Sequence, residues 1–535
     1  MQEKIYLDKE LDKFMSKLKS GENFTLLRFA DGERAVMENA RIQGVDGWHL
    51  PGKSTSLGEA LREALQLKGE NVYYGISCPC CDREAYYWYM SRIPNRNNIT
   101  FSNIFVNRNY RKFLAEFKTL RRDAVVIANH RWWGGGQLEG LNVLQHYPVG
   151  DECVDFWEKD AQSLIAHAIN DFGSKNGLLY VVSAGPMSEP IIAALYKNNP
   201  NNCYIDFGSS IDIYIHGKDT RPYSKPGTQY SERNCWMFDP KTTNFDVSVV
   251  LTAYKKPDAL SLQLEAVENQ TLKPREIILY QDGIDGNYEV KFKPELLGRF
   301  SSTFISPSNK GVWERFKLAE QAASEYVCVF DDDTIPGKRW LENCHFNAQL
   351  QDGVYGAIGV IVENPQNYPR KFWRIGWARP YRRTARVDFV GHSWFLKREY
   401  LSCMFDGTEK YQSFKIAGED MCISFKSLQH GIKTFVPQHP YSNTEMWGSL
   451  PEYALKYGTD HTAVSLSSAG TSAMTEAMKM FAAEGWSFCK DEPDSHLLRV
   501  RIGSKLGYYM TRRKVRKLID ILRKCKRFVK RSLKM

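Results

Sequence analysis

No stretch of the sequence approaches the ~18 uninterrupted apolar residues of a membrane-spanning helix. The opening Met1-Gln2-Glu3-Lys4 leads into charged residues rather than into the apolar core of a signal peptide. Both absences argue against a secreted or membrane-spanning chain, and a cytoplasmic setting with reduced thiols is expected for the 12 cysteines. Internal repeats are lacking too. With 43% hydrophobic and 25% charged residues, 38 Gly and 22 Pro, the composition excludes a disordered, collagen-like or coiled-coil chain. The Cys78-Pro79-Cys80-Cys81 cluster has no second Cys/His pair at a recognisable spacing, so a structural role is expected for it ahead of a metal site. Acidic residues are scarce at one end: residues 499–535 hold only Asp520 against 15 Lys and Arg, a net of +14. The other 498 residues carry 57 basic and 61 acidic side chains, a net of −4, so the overall charge of +10 belongs to a tail.

A chain of 535 residues exceeds what one core usually organises, and two or three domains are expected. Short apolar runs alternate with helical patterns, which argues for an α/β architecture. In the first half, strands are predicted at 24–29, 72–76, 124–128, 178–183 and 203–207. Helices are predicted at 56–67, 83–90, 110–120, 156–172 and 189–197. From 218 to 244 the chain turns polar, with Pro222, Pro226, Gly227 and Pro240, and reads as a boundary. A second α/β pattern follows, with strands at 247–252, 276–280, 326–330, 356–362, 387–396 and 434–436. Its helices are predicted at 258–269, 312–323, 338–350 and 420–430, and a further helix at 472–483 precedes the tail.

The strongest chemical signal is the strand 327–330 running into Asp331-Asp332-Asp333. Side chains of an extended segment alternate, so Asp331 and Asp333 are expected on one face and Asp332 on the other. Hard carboxylate oxygens at the carboxyl edge of a strand suit Mg²⁺ or Mn²⁺, and such an ion can bridge a diphosphate leaving group. Other motifs accompany it in order: Thr252-Ala253-Tyr254 after a strand, Gln281-Asp282-Gly283 after the next, Asn309-Lys310-Gly311 before a helix, and Gly418-Glu419-Asp420 opening a helix.

This ordered set resembles the inverting family 2 glycosyltransferases of the GT-A fold, over about residues 246–460. The resemblance implies that Thr252 and Tyr254 line the nucleotide pocket and that Asp282 contacts uracil or ribose. Asp331 and Asp333 would form a DxD motif holding metal and diphosphate, with Asp332 among the nucleotide-sugar contacts. His439 would add a metal ligand beyond the Glu419-Asp420 helix. Inverting transfer needs a carboxylate to take the acceptor's proton, and the resemblance makes Asp420 that base, with Glu419 in reserve. The cofactor implied is a divalent cation, Mn or Mg.

Nearer the start, Arg28-Phe29-Ala30-Asp31-Gly32-Glu33 reads as a strand ending in a tight acidic turn. It is followed by the glycine-rich stretch 128–136 and by Ser183-Ala184-Gly185-Pro186, a strand–turn–helix able to present amides to a phosphate. Asp206-Phe207-Gly208 closes the pattern. Together these resemble the bacterial GT-D glycosyltransferases, whose signature carries DxE in place of DxD, over roughly 20–225. By that resemblance Asp31 and Glu33 would serve metal or diphosphate, Arg28 would support the site and Gly185 would shape a phosphate-facing turn.

Residues 512–531 have helical periodicity, with Val515, Leu518, Leu522, Cys525 and Val529 on one stripe and Lys and Arg elsewhere. A basic amphipathic helix is attracted to an anionic membrane surface. Nucleic acid is not expected as a partner, because the body is acidic and shows no nucleic-acid-binding pattern.

These readings predict an α/β chain of two Rossmann-like glycosyltransferase domains, GT-D-like at 1–240 and GT-A at 241–465, then a helical segment and basic amphipathic tail at 466–535. The expected protein is a bifunctional glycosyltransferase, peripheral on the inner face of the cytoplasmic membrane. It would use nucleotide-diphosphate sugars to extend a bacterial O-antigen or capsule on an oligosaccharide or polyprenyl-linked acceptor. Two alternatives stand beside it: catalysis by the C-terminal domain alone with an acceptor-binding N-terminal domain, and a non-catalytic membrane-bound scaffold.

Overall fold

The computed structural model describes residues 2–43, 49–50, 56–132, 137–219, 221–254, 256–283, 291–370, 372–377, 379–407, 409–412, 416–458, 467–492 and 497–511. The chain forms two compact units, Gln2–Thr243 and Asn244–Met535. Each is an α/β structure built on its own sheet.

The first unit is organised by seven strands in the spatial order Ile99–Phe101, Val72–Ile76, Thr25–Phe29, Cys203–Asp206, Leu179–Ser183, Asp123–Asn129 and Asn142–Val149. Every pairing among them is parallel. All seven carboxyl ends therefore lie at one edge, which gathers residues distant in sequence around one cleft. Helices pack against the sheet through spaced apolar positions. In Leu7–Lys19, for instance, Leu7, Leu11, Phe14, Met15 and Leu18 are buried at the three- and four-residue steps of one helical face. A separate two-stranded pairing joins Lys4–Tyr6 to Trp236–Phe238.

Two local expectations change here. The predicted helix 156–172 is two helices, Cys153–Lys159 and Ala161–Phe172, because Asp160 leaves helical geometry (φ −122°, ψ −23°) between them. Asp31-Gly32-Glu33 is the first turn of the helix Asp31–Met37 rather than a tight turn, and the Glu33 carboxylate caps it by accepting from the Ala30 amide at 2.7 Å.

The second unit is built on a nine-stranded mixed sheet. Ser302–Ile305, Glu276–Gln281, Val247–Ala253 and Tyr326–Phe330 run parallel, then Phe389–Lys397 and Val354–Val362 follow antiparallel. Val247–Ala253 and Val354–Val362 are buried along their whole length, as expected of strands covered on both faces. The predicted helix 312–323 is shorter, Glu314–Glu320. Helix Ser468–Ala483 buries Ala473, Ala477, Met478 and Phe481, and Leu497–Thr511 follows it. The predicted tail helix 512–531 lies outside the described residues.

Candidate functional site

In the second unit the parallel strands end together at the edge predicted to hold the chemistry. Tyr326–Phe330 stops at Phe330, so Asp332 and Asp333 sit in a turn, and strand alternation does not reach them as expected. That turn is pinned from beneath by Gln263, fully buried, whose Nε2 donates to the carbonyls of Asp331 and Thr334, both at 2.7 Å. From the side, the Asp331 amide donates to the His392 carbonyl at 3.0 Å. His392 itself has φ +66°, a conformation rarely adopted by residues other than glycine and characteristic of strained functional positions.

Arg315 joins the two predicted acidic motifs, and the sequence reading missed it. Its side chain is 7% exposed; Nη1 donates to Asp331 and Nη2 donates to Glu419 at 2.8 Å. The guanidinium carbon lies 4.9 Å from the centroid of the Trp394 ring, a cation–π contact. Lys256, also missed, sits 3.1 Å from Asp333. The three aspartates thus face different neighbours. Burial raises Asp333, but the charges of His392 and Lys256 and the hydrogen bonds from Lys256 and Thr334 outweigh it and hold the carboxyl below its usual value. Burial, then the charge of Asp333, pushes Asp332 up to about 7.

Helix Glu419–Gln429 begins after Gly418, whose φ of +105° turns the chain sharply into its first residues. Burial lifts Glu419 above the ordinary carboxylate range, with Arg315 opposing. Burial, then the negative charge of Glu419, lifts Asp420 well above it. Asp420 Oδ1 accepts from the Met421 amide at 2.7 Å, so the carboxyl is held at the helix entrance.

The remaining expected residues have defined partners. Asp282 is almost saturated: Oδ1 accepts from the Tyr280 hydroxyl and the amides of Gly283 and Lys310, and Oδ2 accepts from Gly311. It ties the end of Glu276–Gln281 to the Asn309-Lys310-Gly311 loop. Thr252 donates its hydroxyl to Phe330 at 3.1 Å, and the Tyr254 hydroxyl accepts from Asn309 at 2.9 Å. His439 corrects an expectation. It is 3% exposed, with Nδ1 2.8 Å from the Pro437 carbonyl and Nε2 3.1 Å from the Arg379 carbonyl. Both ring nitrogens face backbone oxygens, which is the setting of a structural histidine and not of a metal ligand. Asp331, Asp332 and Asp333 are half-buried hard oxygen donors of the type Mg²⁺ or Mn²⁺ takes, but Asp331 is held by Arg315 and Asp333 by Lys256, and the three carboxylates do not converge on one point among the described residues.

The first unit has a cleft of about 1030 Å³ at the carboxyl ends of its strands, lined by Arg28, Asp31, Glu33, Gly185 and Asp206 among others. Arg28 is one of its cations, with Arg131, Lys218 and Arg221. Arg28 Nη1 donates to the Ser102 carbonyl at 2.7 Å, Nε to the Asp206 carbonyl at 2.6 Å, and Nη2 lies 2.9 Å from the Asp206 carboxylate. A Cβ on Gly208 would come within 2.1 Å of Arg28 Nη2, so a larger residue here would displace the guanidinium, and the φ of +45° also favours glycine. Gly185, at φ +56°, starts the turn that enters helix Ser188–Asn198. Beneath them lies Glu189, fully buried, accepting from the Arg28 amide at 3.2 Å while its Oε2 has no partner among the described residues. Burial pushes Glu33 up to about 7 despite two backbone hydrogen bonds, with Asp206 and Asp31 adding to the rise. Burial, then Asp206 and Glu33, drives Glu189 well above its ordinary value. Asp31, Glu33 and Asp206 share the cleft with the cations Arg28, Arg131, Lys218 and Arg221, and burial with mutual repulsion favours the protonated forms of Glu33 and the underlying Glu189.

The site of the second unit thus joins an acidic cluster at the carboxyl ends of parallel strands in a mixed sheet to a paired acidic helix entrance. Residues 248–405 match the family model of Glycosyl transferase family 2, so the second unit carries a family 2 glycosyltransferase domain. The match does not extend to the first unit. Over 110 residues the chain is 32% identical to the cholesterol galactosyltransferase of Borreliella burgdorferi, a match covering 20% of this chain and 30% of that protein. The crystal structure of S. aureus TarS is similar over 50% of this chain and 44% of its own, with 14% identity and a TM-score of 0.31. The chain thus spans less than half the length of either relative.

Proposed function

We propose that this protein is a bifunctional glycosyltransferase that uses nucleotide-diphosphate sugars to extend a bacterial surface polysaccharide on a lipid-linked acceptor, with one donor site in each unit. The observation that carries the reading is the Arg315 bridge, which supports Asp331 and Glu419 acting in one site within the family 2 domain. In the second unit, Asp420 accepts the proton of the acceptor hydroxyl as its oxygen attacks the anomeric carbon. The bond to the diphosphate oxygen breaks on the opposite face, with inversion. The raised proton affinity of Asp420 suits a base that must hold the proton it takes. Asp331 and Asp333 would hold a divalent cation, which supplies charge stabilisation to the departing diphosphate when bound. Arg315 and Lys256 keep those carboxylates oriented. Gln263 fixes the turn that carries them.

The cleft of the first unit, with Asp31, Glu33 and Arg28 at its floor, supports a second donor site. A lipid acceptor accords with the likeness to the Borreliella cholesterol galactosyltransferase. It accords also with helix Leu497–Thr511. That helix packs through Val500, Gly503, Ser504 and Gly507, and presents Leu498, Ile502, Leu506 and Tyr509 outward, 71%, 60%, 62% and 46% exposed. An apolar stripe leading into the basic stretch after residue 511 suits the surface of an anionic bilayer. Among the described residues no helix is long and apolar enough to cross a membrane.

A donor screen with single variants tests the reading. Asp333→Ala and Asp31→Ala should each abolish a different transfer. If Asp31→Ala leaves every transfer intact, the first unit binds acceptor and the bifunctional reading fails. If Asp333→Ala also leaves them intact, the catalytic assignment of the second unit falls with it.

A further inference from the structure

The first unit gathers four cysteines that neither proposed donor site uses. Cys78, Cys80 and Cys81 lie in the turn between strand Val72–Ile76 and helix Arg83–Met90, and Cys235 immediately precedes strand Trp236–Phe238. Their four Sγ atoms all lie within 4.8 Å of one another. Cys78 and Cys80 are 3.3 Å apart, and Cys81 and Cys235 are 3.6 Å apart. A zinc ion held tetrahedrally at ~2.3 Å from each sulfur sets its ligands roughly 3.8 Å apart, whereas a disulfide needs about 2.05 Å. The spacing is that of a metal cage.

The groups around the cluster point the same way. Asn103 and Asn107 direct their Nδ2 groups at Cys235 Sγ, at 3.2 and 3.5 Å, and Arg233 Nη1 donates to Cys81 Sγ at 3.3 Å. A neutral thiol is a weak acceptor, but a metal-bound thiolate draws such donors, and they orient it. Four thiolates on a dication leave two negative charges, which the Arg233 guanidinium partly offsets. Backbone geometry prepares the chelate as well. The Cys78 carbonyl accepts from the amides of Cys81 and Asp82, at 3.1 and 3.0 Å, folding the Cys-Pro-Cys-Cys run so that its three sulfurs converge.

We propose that Cys78, Cys80, Cys81 and Cys235 bind one structural zinc ion. A closed set of four sulfurs leaves no position for a substrate or water, so the ion would act on the fold rather than on the reaction. It would fasten the end of the first unit to the carboxyl edge of its sheet, closing a loop of more than 150 residues between Cys81 and Cys235. Its reach extends to the cleft: Asn103, which donates to Cys235, follows Ser102, whose carbonyl holds Arg28. The fourth ligand escaped the sequence reading because Cys235 has no neighbouring Cys or His to mark it.

The test uses the full-length chain purified without chelator. Elemental analysis should find one zinc per chain, retained through desalting and released when a mercurial titrates the thiols. Replacement by Co²⁺ should give the intense visible bands of tetrahedral cobalt with thiolate charge transfer. Cys235→Ser should lose the zinc, whereas Cys403→Ser, in the other unit, should keep it. Should Cys235→Ser fail to fold, the cobalt spectrum of the unmodified chain decides. Substoichiometric zinc together with four freely reactive thiols would overturn the proposal. So would an intact mass lighter by two hydrogens per bond, which would make the cluster a disulfide site.

Discussion

Replacing Arg315 by Met isolates the contribution of the guanidinium. Methionine preserves an unbranched apolar side chain against Trp394 and Phe316 but removes the charge shared by Asp331 and Glu419. Breaking a buried ion pair by deleting one partner typically lowers stability by about 3–5 kcal/mol, because the remaining charge is stranded. For a unit of this size, with roughly 2 °C per kcal/mol, the transition should fall by about 6–10 °C near pH 8. The loss should depend on pH in a determined direction. Glu419 already has a folded-state affinity for protons above its unfolded value, and without Arg315 that affinity rises further. Where the folded state binds more protons than the unfolded state, stability falls as pH rises. The deficit of Arg315→Met should therefore shrink as pH falls and Glu419 takes up its proton, and widen as pH rises, so that it is smaller at pH 5 than at pH 8. Scanning calorimetry at both values measures it. A deficit below about 1 °C at pH 8, or one equal at the two pH values, would refute the claim that Arg315 neutralises this site.

Two further outcomes follow from the same geometry. Asp420→Asn should lower kcat of the second-unit transfer by roughly 10²–10⁴ while KM for the donor changes little; the rise of kcat with pH that tracks deprotonation of Asp420 should disappear, and an unchanged pH profile would remove Asp420 from the role of base. Ile502→Glu combined with Leu506→Glu should weaken flotation with phosphatidylglycerol vesicles by at least tenfold, since each buried side chain of this size contributes about 1.5–3 kcal/mol, and undiminished binding would leave the exposed stripe without that role.

Much of the secondary structure could be read in advance. Val72–Ile76, Arg83–Met90, Tyr326–Phe330 and Thr434–Val436 stand where apolar periodicity places them, because each is a short run whose burial is decided locally. Elements with few apolar residues or mixed exposure escaped. Asn142–Val149 is an edge strand whose pattern alternates irregularly, and Leu497–Thr511 hides its helix among glycines that pack closely. The acidic motifs were visible because carboxylates cluster in sequence. Their counter-ions were not. Arg315 lies 104 residues from Glu419, and Lys256 lies 77 from Asp333. A single Arg or Lys in a helical or loop pattern carries no mark of the carboxylate that will face it; only the sheet topology supplies that.

The pairing of Lys4–Tyr6 with Trp236–Phe238 sets a schedule for synthesis. Ile5 leaves the ribosome early, yet its partner Met237 is made 232 residues later, roughly 12–46 s afterwards at ~5–20 residues per second. Through that interval the first strand has no partner, while helix Leu7–Lys19 directly behind it can already settle on the growing sheet. The first unit therefore closes last at its own beginning, and a nascent chain stalled before residue 236 would carry a nearly complete sheet with an open seam.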